Sequence, residues 1–439
     1  MTVTNWNGTA RCDPAVEITP ETLDDLAAIV LDRFRVPCPG PVRAVGSLHS
    51  LNPCFTTTGT LVHMKAGPWK HMAEPVGDQV TVGAGVTMLE LAAFLKARGR
   101  QIAVTPEIGN ATAGSVACCG TKDASLSGGP GQISSTVVGV GLIDASGARV
   151  QVSDASDAER MRILRSSYGL LGIVHEVTFA TVPLQIVRYA SEAVELSNAP
   201  LDRLLGRADG FLGFLLPFDD AIVVERRTLV TDDKPNVLDD VRREKRNRLW
   251  ESGGHPFSDA PDLFAKGFQL GFPLLSFLSQ RVDVMIDFKP GRDHFFDFGF
   301  WAFPARRWAT TVPAFVNFCE RFRAATGFRP DLPTEVYFIK RDDRALLSFS
   351  PEEDIFTLDM VHTLHRPIRP DEALWDEMNR QFNAFAVEHG ARPLLNQTKQ
   401  LTRPVVRAAL GADWDAFAEA RAAADPNGRF LSDYFAALL

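Results

Sequence analysis

Apolar and polar positions follow two regimes along this chain, and the change falls near Pro183. Before it, apolar runs are short and separated by glycine-rich turns. Residues 18–35 carry apolar side chains at helical spacing, with Thr19 as candidate cap and Pro20 in the first turn, and predict a helix. The runs at 42–45, 60–65 and 79–87 are short, apolar and bounded by turn residues, as buried strands are. "TMLELAAFLKARGR" predicts an amphipathic helix ending near Gly99. "STVVGVGLIDASGARVQVS" has two alternating runs around Asp144–Gly147 and predicts a hairpin. "ERMRILRSSYG" reads as a short helix and "GIVHEVTFATVPL" as a long strand.

Beyond Pro183 phenylalanine becomes dense: 18 of the 30 lie between residues 211 and 328, so a separate core is expected there. Alternating runs at 222–230, 334–340 and 354–360 predict strands, and the charged run 239–251 predicts a solvated helix face. The last stretch reads as a helix, a DPNG turn and a short helical tail. The pattern divides the chain into an α+β domain over residues 1–185, a second domain over 186–400 and a tail over 401–439.

Composition narrows the function classes. With 439 residues, 45% of them hydrophobic and 23% charged, the chain can build large cores. A net charge of -8 gives no reason to expect nucleic acid or an anionic membrane as partner. No apolar run reaches the roughly 18 residues of a spanning helix. The first residues hold no apolar run of the secretory kind, so no signal is expected. Six cysteines fit neither a zinc spacing nor a dense disulfide framework, which suggests a reducing, cytoplasmic setting. The nine histidines contain no HExxH pair, and no metal is expected.

Three glycine-rich turns carry the candidate chemistry: residues 46–50, 109–121 and 128–135. Glycine lets a backbone approach a ligand closely, and successive N–H groups in such turns form anion-binding nests. Each turn alone is equally readable as a plain chain reversal. There is no GxGxxG after the first strand and no GxxxxGK[ST], so dinucleotide-fingerprint and P-loop readings fail.

The order of these elements, together with Gly46-Ser47-Leu48-His49-Ser50-Leu51-Asn52, Ala113-Gly114-Ser115-Val116-Ala117 and Gly169-Leu170-Leu171-Gly172-Ile173-Val174, resembles the vanillyl-alcohol-oxidase superfamily of flavoproteins, with its PCMH-type FAD-binding domain. The resemblance covers about residues 5–185 and is nearest the alditol oxidase and aldonolactone oxidase branch. It implies a two-domain fold in which an antiparallel-sheet cap covers the FAD-binding domain. It further implies FAD bonded covalently to His49, and FAD contacts from Val45, Gly46, Ser47, Leu48, Ser50, Asn52, Gly114, Ser115, Ala117, Gly120, Thr121, Gly172 and Ile173. Cys118 and Cys119 stand where the loop departs from the family pattern, either as buried small residues or as a second flavin attachment.

In the second domain, Glu335-Val336-Tyr337 stands where the branch has E-V-R, so Glu335 is implied as a substrate-facing group and Tyr337 replaces an arginine. Asp359 and Val361 replace the polar pair of polyol oxidases. Arg392-Pro393 is kept, and Lys399 falls two residues later than the family's flavin-facing lysine, a spacing that also resembles the decaprenylphosphoryl-ribose oxidase branch. The implied activity is oxidation of a CH–OH substrate (an alcohol, polyol or lactone) by hydride transfer to flavin N5. Dioxygen or another acceptor would then take the electrons. Lys399, Glu335, Ser115 and Tyr337 are the candidate catalytic residues. The dense phenylalanines and the missing arginine leave two alternatives: a biosynthetic flavin oxidase for a bulky apolar substrate, or a flavin or hydrophobic-ligand binding protein without turnover.

Overall fold

The structure, a computed structural model, describes residues 2–231, 234–245, 260–282, 284–286, 294–365 and 372–439. Its N-terminal part holds two main sheets, beside two short two-stranded ones. A small parallel sheet has the order Val16–Ile18, Thr60–His63, Val42–Val45. An antiparallel sheet has the order Gln79–Gly83, Ile173–Ala180, Val137–Ile143, Arg149–Ser153, and its last two strands form the expected hairpin.

The first helix is shorter than its periodicity suggested and spans Leu23–Val30. Thr22, not Thr19, caps it. The Thr22 hydroxyl accepts from the Asp25 N–H at 3.0 Å, and the Asp25 carboxylate accepts from the Thr22 N–H at 3.1 Å. This reciprocal box satisfies two otherwise orphaned donors and leaves Pro20 outside. Thr87 and Glu90 form the same box on helix Met88–Lys96.

The second part is built on a seven-stranded antiparallel sheet. Its order is Leu278–Arg281, Ile186–Glu195, Ala221–Val230, Gly210–Leu216, Thr334–Ile339, Ile355–His365, His294–Pro304. Successive side chains alternate faces. Phe211, Val336 and Phe338 point into one core with Phe315, Phe318 and Phe322 of helix Trp308–Thr326 and Phe382 of helix Glu372–Glu388. Phe214 and Tyr337 belong to the opposite face, whose core takes in Phe264, Phe268 and Phe272 of helix Pro261–Leu275. A two-sided sheet therefore uses most of the dense phenylalanines as packing. The charged run at 239–251 is helical over 237–245; residues 246–251 lie outside the described residues.

The tail helices Arg403–Leu410, Ala412–Ala424 and Asp433–Leu438 return to the first part. Val406, Trp414, Phe417 and Phe435 share a core with Cys54, Tyr168 and Leu170. Arg429 donates to the carbonyls of Val30 and Ile29, both at 2.7 Å. Among the described residues no helix is long and apolar enough to cross a membrane, and no cluster of His, Cys, Asp and Glu could hold a metal ion. All six cysteines are free.

Candidate active site

One large cleft runs between the two parts, with walls from the 43–51 turn, the 106–122 loops and the cap sheet. It encloses about 1850 Å³ of space, some continuous with solvent.

At one end the strand Val42–Val45 delivers the chain into the Gly46–Ser50 turn. Gly46 is required by space: a Cβ there would lie 2.2 Å from Thr112 Oγ1 and 3.0 Å from Ser115 Oγ. Leu48 holds a left-handed φ of 57°, which is uncommon for a branched side chain and marks a constrained turn. The Ser47 hydroxyl fixes the turn by donating to the Asn110 carbonyl at 2.5 Å. Among the described residues, the backbone N–H groups of residues 46–50 donate no hydrogen bond within the chain. Five successive donors without internal partners, lining a cleft, are what a pyrophosphate needs. Thr121 Oγ1 and Asn396 Oδ1, also on cleft-wall residues, are buried without partners. The residues present thus fit FAD.

His49 lines the cleft and stacks loosely with Trp6, with ring centroids 6.3 Å apart. Burial pushes its imidazole down to about 4, against a hydrogen bond with Asn110 that favours the charged form. It is therefore neutral at pH 7. Beneath the turn, buried Arg43 donates to the carbonyls of Cys54 at 2.8 Å, Tyr168 at 2.7 Å and Phe430 at 3.1 Å. The floor is thereby fixed to the tail.

At the cap end, strand register builds a row. Glu335 pairs directly with Asp359, which pairs with Phe300; on the other side Glu335 faces Phe214. Lys122, from the loop after the Cys118–Cys119 segment, reaches this row from the opposite wall. Its ammonium lies 2.6 Å from Asp359 and 3.8 Å from Glu335, and 3.6 Å from the centre of the Tyr337 ring. The Tyr337 hydroxyl lies 2.8 Å from Glu107 Oε2 and 3.1 Å from Glu335 Oε2. Burial, only partly offset by Lys122, pushes Glu335 up to about 8 and Asp359 up to about 6. Burial disfavours charge on Lys122 as well, but the facing carboxylates outweigh it and hold the ammonium above its ordinary range.

Of the sequence candidates, Val45, Gly46, Ser47, Leu48, His49, Ser50, Gly114, Ser115, Thr121, Gly172, Glu335 and Tyr337 all line this cleft. Ser115 sits at the cofactor turn, its hydroxyl 3.0 Å from Thr112 Oγ1. Others do not line it. Asn52 is buried and donates to the carbonyls of Leu395 at 2.8 Å and Thr398 at 2.5 Å, tying the turn to the 395–398 segment. Ala117 and Ile173 are core residues. Gly120 is packed against Leu394 and accepts from Asn396.

Lys399 also turns away from the cleft. Its ammonium pairs with buried Asp297 at 3.1 Å, while Asn396 and Gln397 form the wall instead. The ammonium on the cleft wall is that of Lys122, which carries no motif. Glu107 was missed for the same reason. Cys118 and Cys119 do line the cleft, but burial pushes their thiols up to about 11 and about 12, so neither is a ready nucleophile.

Two family patterns match the chain: the FAD binding domain over residues 14–153 and D-arabinono-1,4-lactone oxidase over residues 295–438. The chain is 22% identical to mouse (Mus musculus) L-gulonolactone oxidase over 461 residues, covering 98% of this chain and 96% of that protein. It is 27% identical to the cattle (Bos taurus) L-gulonolactone oxidase over 224 residues, 50% of each chain, so this match spans about half the relative's length. Its fold is similar to that of cholesterol oxidase from Brevibacterium sterolicum, with a TM-score of 0.75 at 16% identity, covering all of this chain and 96% of that one. The chain belongs to the FAD-linked oxidases of the vanillyl-alcohol-oxidase type, on the aldonolactone oxidase branch. It is an FAD-dependent oxidoreductase.

Proposed function

We propose that this protein oxidises a ring or chain CH–OH carbon of a sugar-derived lactone, of the kind named for its relatives. The observation that carries the reading is the polar group of Lys122, Glu335 and Tyr337 on the wall of the same cleft as the His49 turn, with buried Asp359 paired to Lys122 and to Glu335 in the sheet. A polyhydroxylated substrate can bond to these groups, whereas a bulky apolar one would strip water from them and leave them only the bonds they make to one another. Among the described residues, only the phenylalanines Phe55, Phe296 and Phe298 line the cleft, so the case for an apolar substrate loses its main support.

FAD supplies the two-electron acceptance when bound. The chain does the rest. The N–H groups of residues 46–50 hold the pyrophosphate, and Thr121 and Asn396 offer further bonds. Neutral His49 is the covalent attachment point, since only an uncharged imidazole has the lone pair that the bond needs. Glu335, once ionised, accepts the substrate hydroxyl proton. Lys122 balances the negative charge that gathers between substrate and carboxylates. Dioxygen or another acceptor completes the cycle.

The division of labour follows residues 1–185 for the cofactor, 186–400 for the cap and 401–439 for the tail. Six unpaired thiols are compatible with a cytoplasmic setting. The test is a substrate panel under anaerobic conditions. Aldono-1,4-lactones should bleach the flavin band, and lipophilic alcohols should not. The reverse order would overturn the reading.

A further inference from the structure

Glu335 is enclosed, so its proton needs a way out. Tyr337 Oη carries one hydrogen yet lies within hydrogen-bond distance of two carboxyl groups, Glu107 at 2.8 Å and Glu335 at 3.1 Å. A single hydroxyl can donate to only one of them. The other carboxyl must therefore carry a proton and donate to the Tyr337 oxygen. Glu335, 4% exposed, is the natural holder of that proton, while Glu107 is only partly buried. Glu107 also lines a second, smaller cavity on the far side, together with Asp123, Tyr189, Arg227 and Gln280. That cavity is predominantly polar, and Arg227 within it is paired with Asp123 at 2.8 Å.

We propose that Glu335, Tyr337 and Glu107 form a proton wire from the substrate end of the main cleft to this second cavity. The inference rests on the proposed CH–OH oxidation. Before the reaction, the Glu335 proton moves to the Tyr337 oxygen as the Tyr337 proton moves to Glu107. Glu335 is left as a carboxylate facing the substrate hydroxyl. Glu335 then takes that hydroxyl's proton while the C–H bonding pair leaves for the oxidant, FAD. Glu107 passes the first proton to water in the second cavity. One O–H and one C–H bond break and the C=O bond forms; with Glu335 protonated again by the substrate and Glu107 deprotonated to water, both carboxyls are back in their starting states, and the Tyr337 hydroxyl turns back toward Glu107 before the next cycle.

The groups facing this wire are Lys122, Asp359 and Asp123. Lys122, 3.8 Å from Glu335 and 2.6 Å from Asp359, supplies the positive charge that lets Glu335 ionise transiently.

The test uses the FAD-loaded protein, Tyr337→Phe, Glu107→Gln and the double variant. Each single variant should lose at least ~10-fold in steady-state turnover, less than the 10²–10⁴-fold of a direct acid–base group because Tyr337 and Glu107 act through Glu335. The double variant should lose no more than the worse single, because the two residues act in series. Imidazole added as a diffusible proton carrier should restore part of the lost rate. In the wild-type protein without substrate, an infrared pH titration should show a protonated carboxyl band at pH 7 that Glu335→Gln removes.

Turnover of both single variants within twofold of wild type would overturn the wire. So would losses that multiply in the double variant, or the absence of that infrared band. Failure of every CH–OH substrate to reduce wild-type flavin would instead overturn the proposed reaction, which separates the two claims.

Discussion

Removing the Lys122 ammonium isolates the electrostatics of the cap row. In Lys122→Met, Asp359 and Glu335 lose the cation at 2.6 and 3.8 Å. Deleting one partner of a buried pair costs about 3–5 kcal/mol when the other stays charged, but a carboxylate can escape by taking a proton. That escape sets the magnitude. In the wild type Asp359 already titrates at about 6, raised from 3.8. A group whose folded value is raised contributes its full stability below the unfolded value and loses it as pH climbs through the folded one. Wild-type protein therefore loses this contribution between about pH 4 and 6. Without Lys122 the Asp359 value rises further, and the loss continues upward at about 1.4 kcal/mol per pH unit.

The extra destabilisation of Lys122→Met should then be near zero at pH 6 and about 3 kcal/mol at pH 8. Urea unfolding with saturating FAD, followed by tryptophan fluorescence at pH 6, 7 and 8, measures it. A loss independent of pH, or one below about 0.5 kcal/mol at pH 8, would refute the reasoning.

The remaining predictions concern the two ends of the cleft and the displaced lysine. Wild-type protein run on a denaturing gel should give a fluorescent flavin band that His49→Ala abolishes; flavin released in full from wild type would remove the covalent bond. Gly46→Ala should fail to acquire FAD, since its Cβ would sit 2.2 Å from Thr112 Oγ1, and a purified variant with stoichiometric flavin would contradict this. Lys399→Met should reduce its flavin within about threefold of wild type, yet unfold about 3 kcal/mol more easily because the buried Asp297 loses its counter-charge and keeps only the hydrogen bonds from Trp375 and Asn7. A hundredfold slower reduction with unchanged stability would return Lys399 to the flavin.

What could be read from sequence was whatever local spacing encodes. The 137–153 hairpin, the Thr87 helix and the Gly46–Ser50 turn are set by neighbours a few residues apart. So is the shared face of Glu335 and Tyr337, which follows from a two-residue period. The helix Trp308–Thr326 was missed although Trp308, Val312, Phe315, Phe318 and Phe322 recur at helical spacing. Pro313 and the pair Thr310-Thr311 masked it, although the phenylalanine density did point to the core that the helix helps to build.

Lys122 was illegible for a different reason. A single lysine in a loop acquires its role only when two strands more than 200 residues away present Glu335 and Asp359 to it. Lys399 lies off the cleft wall through a small backbone effect. Thr398 donates its hydroxyl to the Phe300 carbonyl at 2.7 Å, which fixes that turn with Gln397 on the cleft wall and Lys399 facing Asp297.

The central claim is that the cleft joins an FAD cradle to an acid–base row acting on a hydroxyl. The most direct measurement is the rate of anaerobic flavin reduction by L-gulono-1,4-lactone against pH, in wild type and in Glu335→Gln. The wild-type rate should rise with an inflection near the Glu335 value of about 8, and Glu335→Gln should be slower by at least ~100-fold and without that inflection. A pH-independent wild-type rate, or a Glu335→Gln rate within threefold of it, would contradict the account.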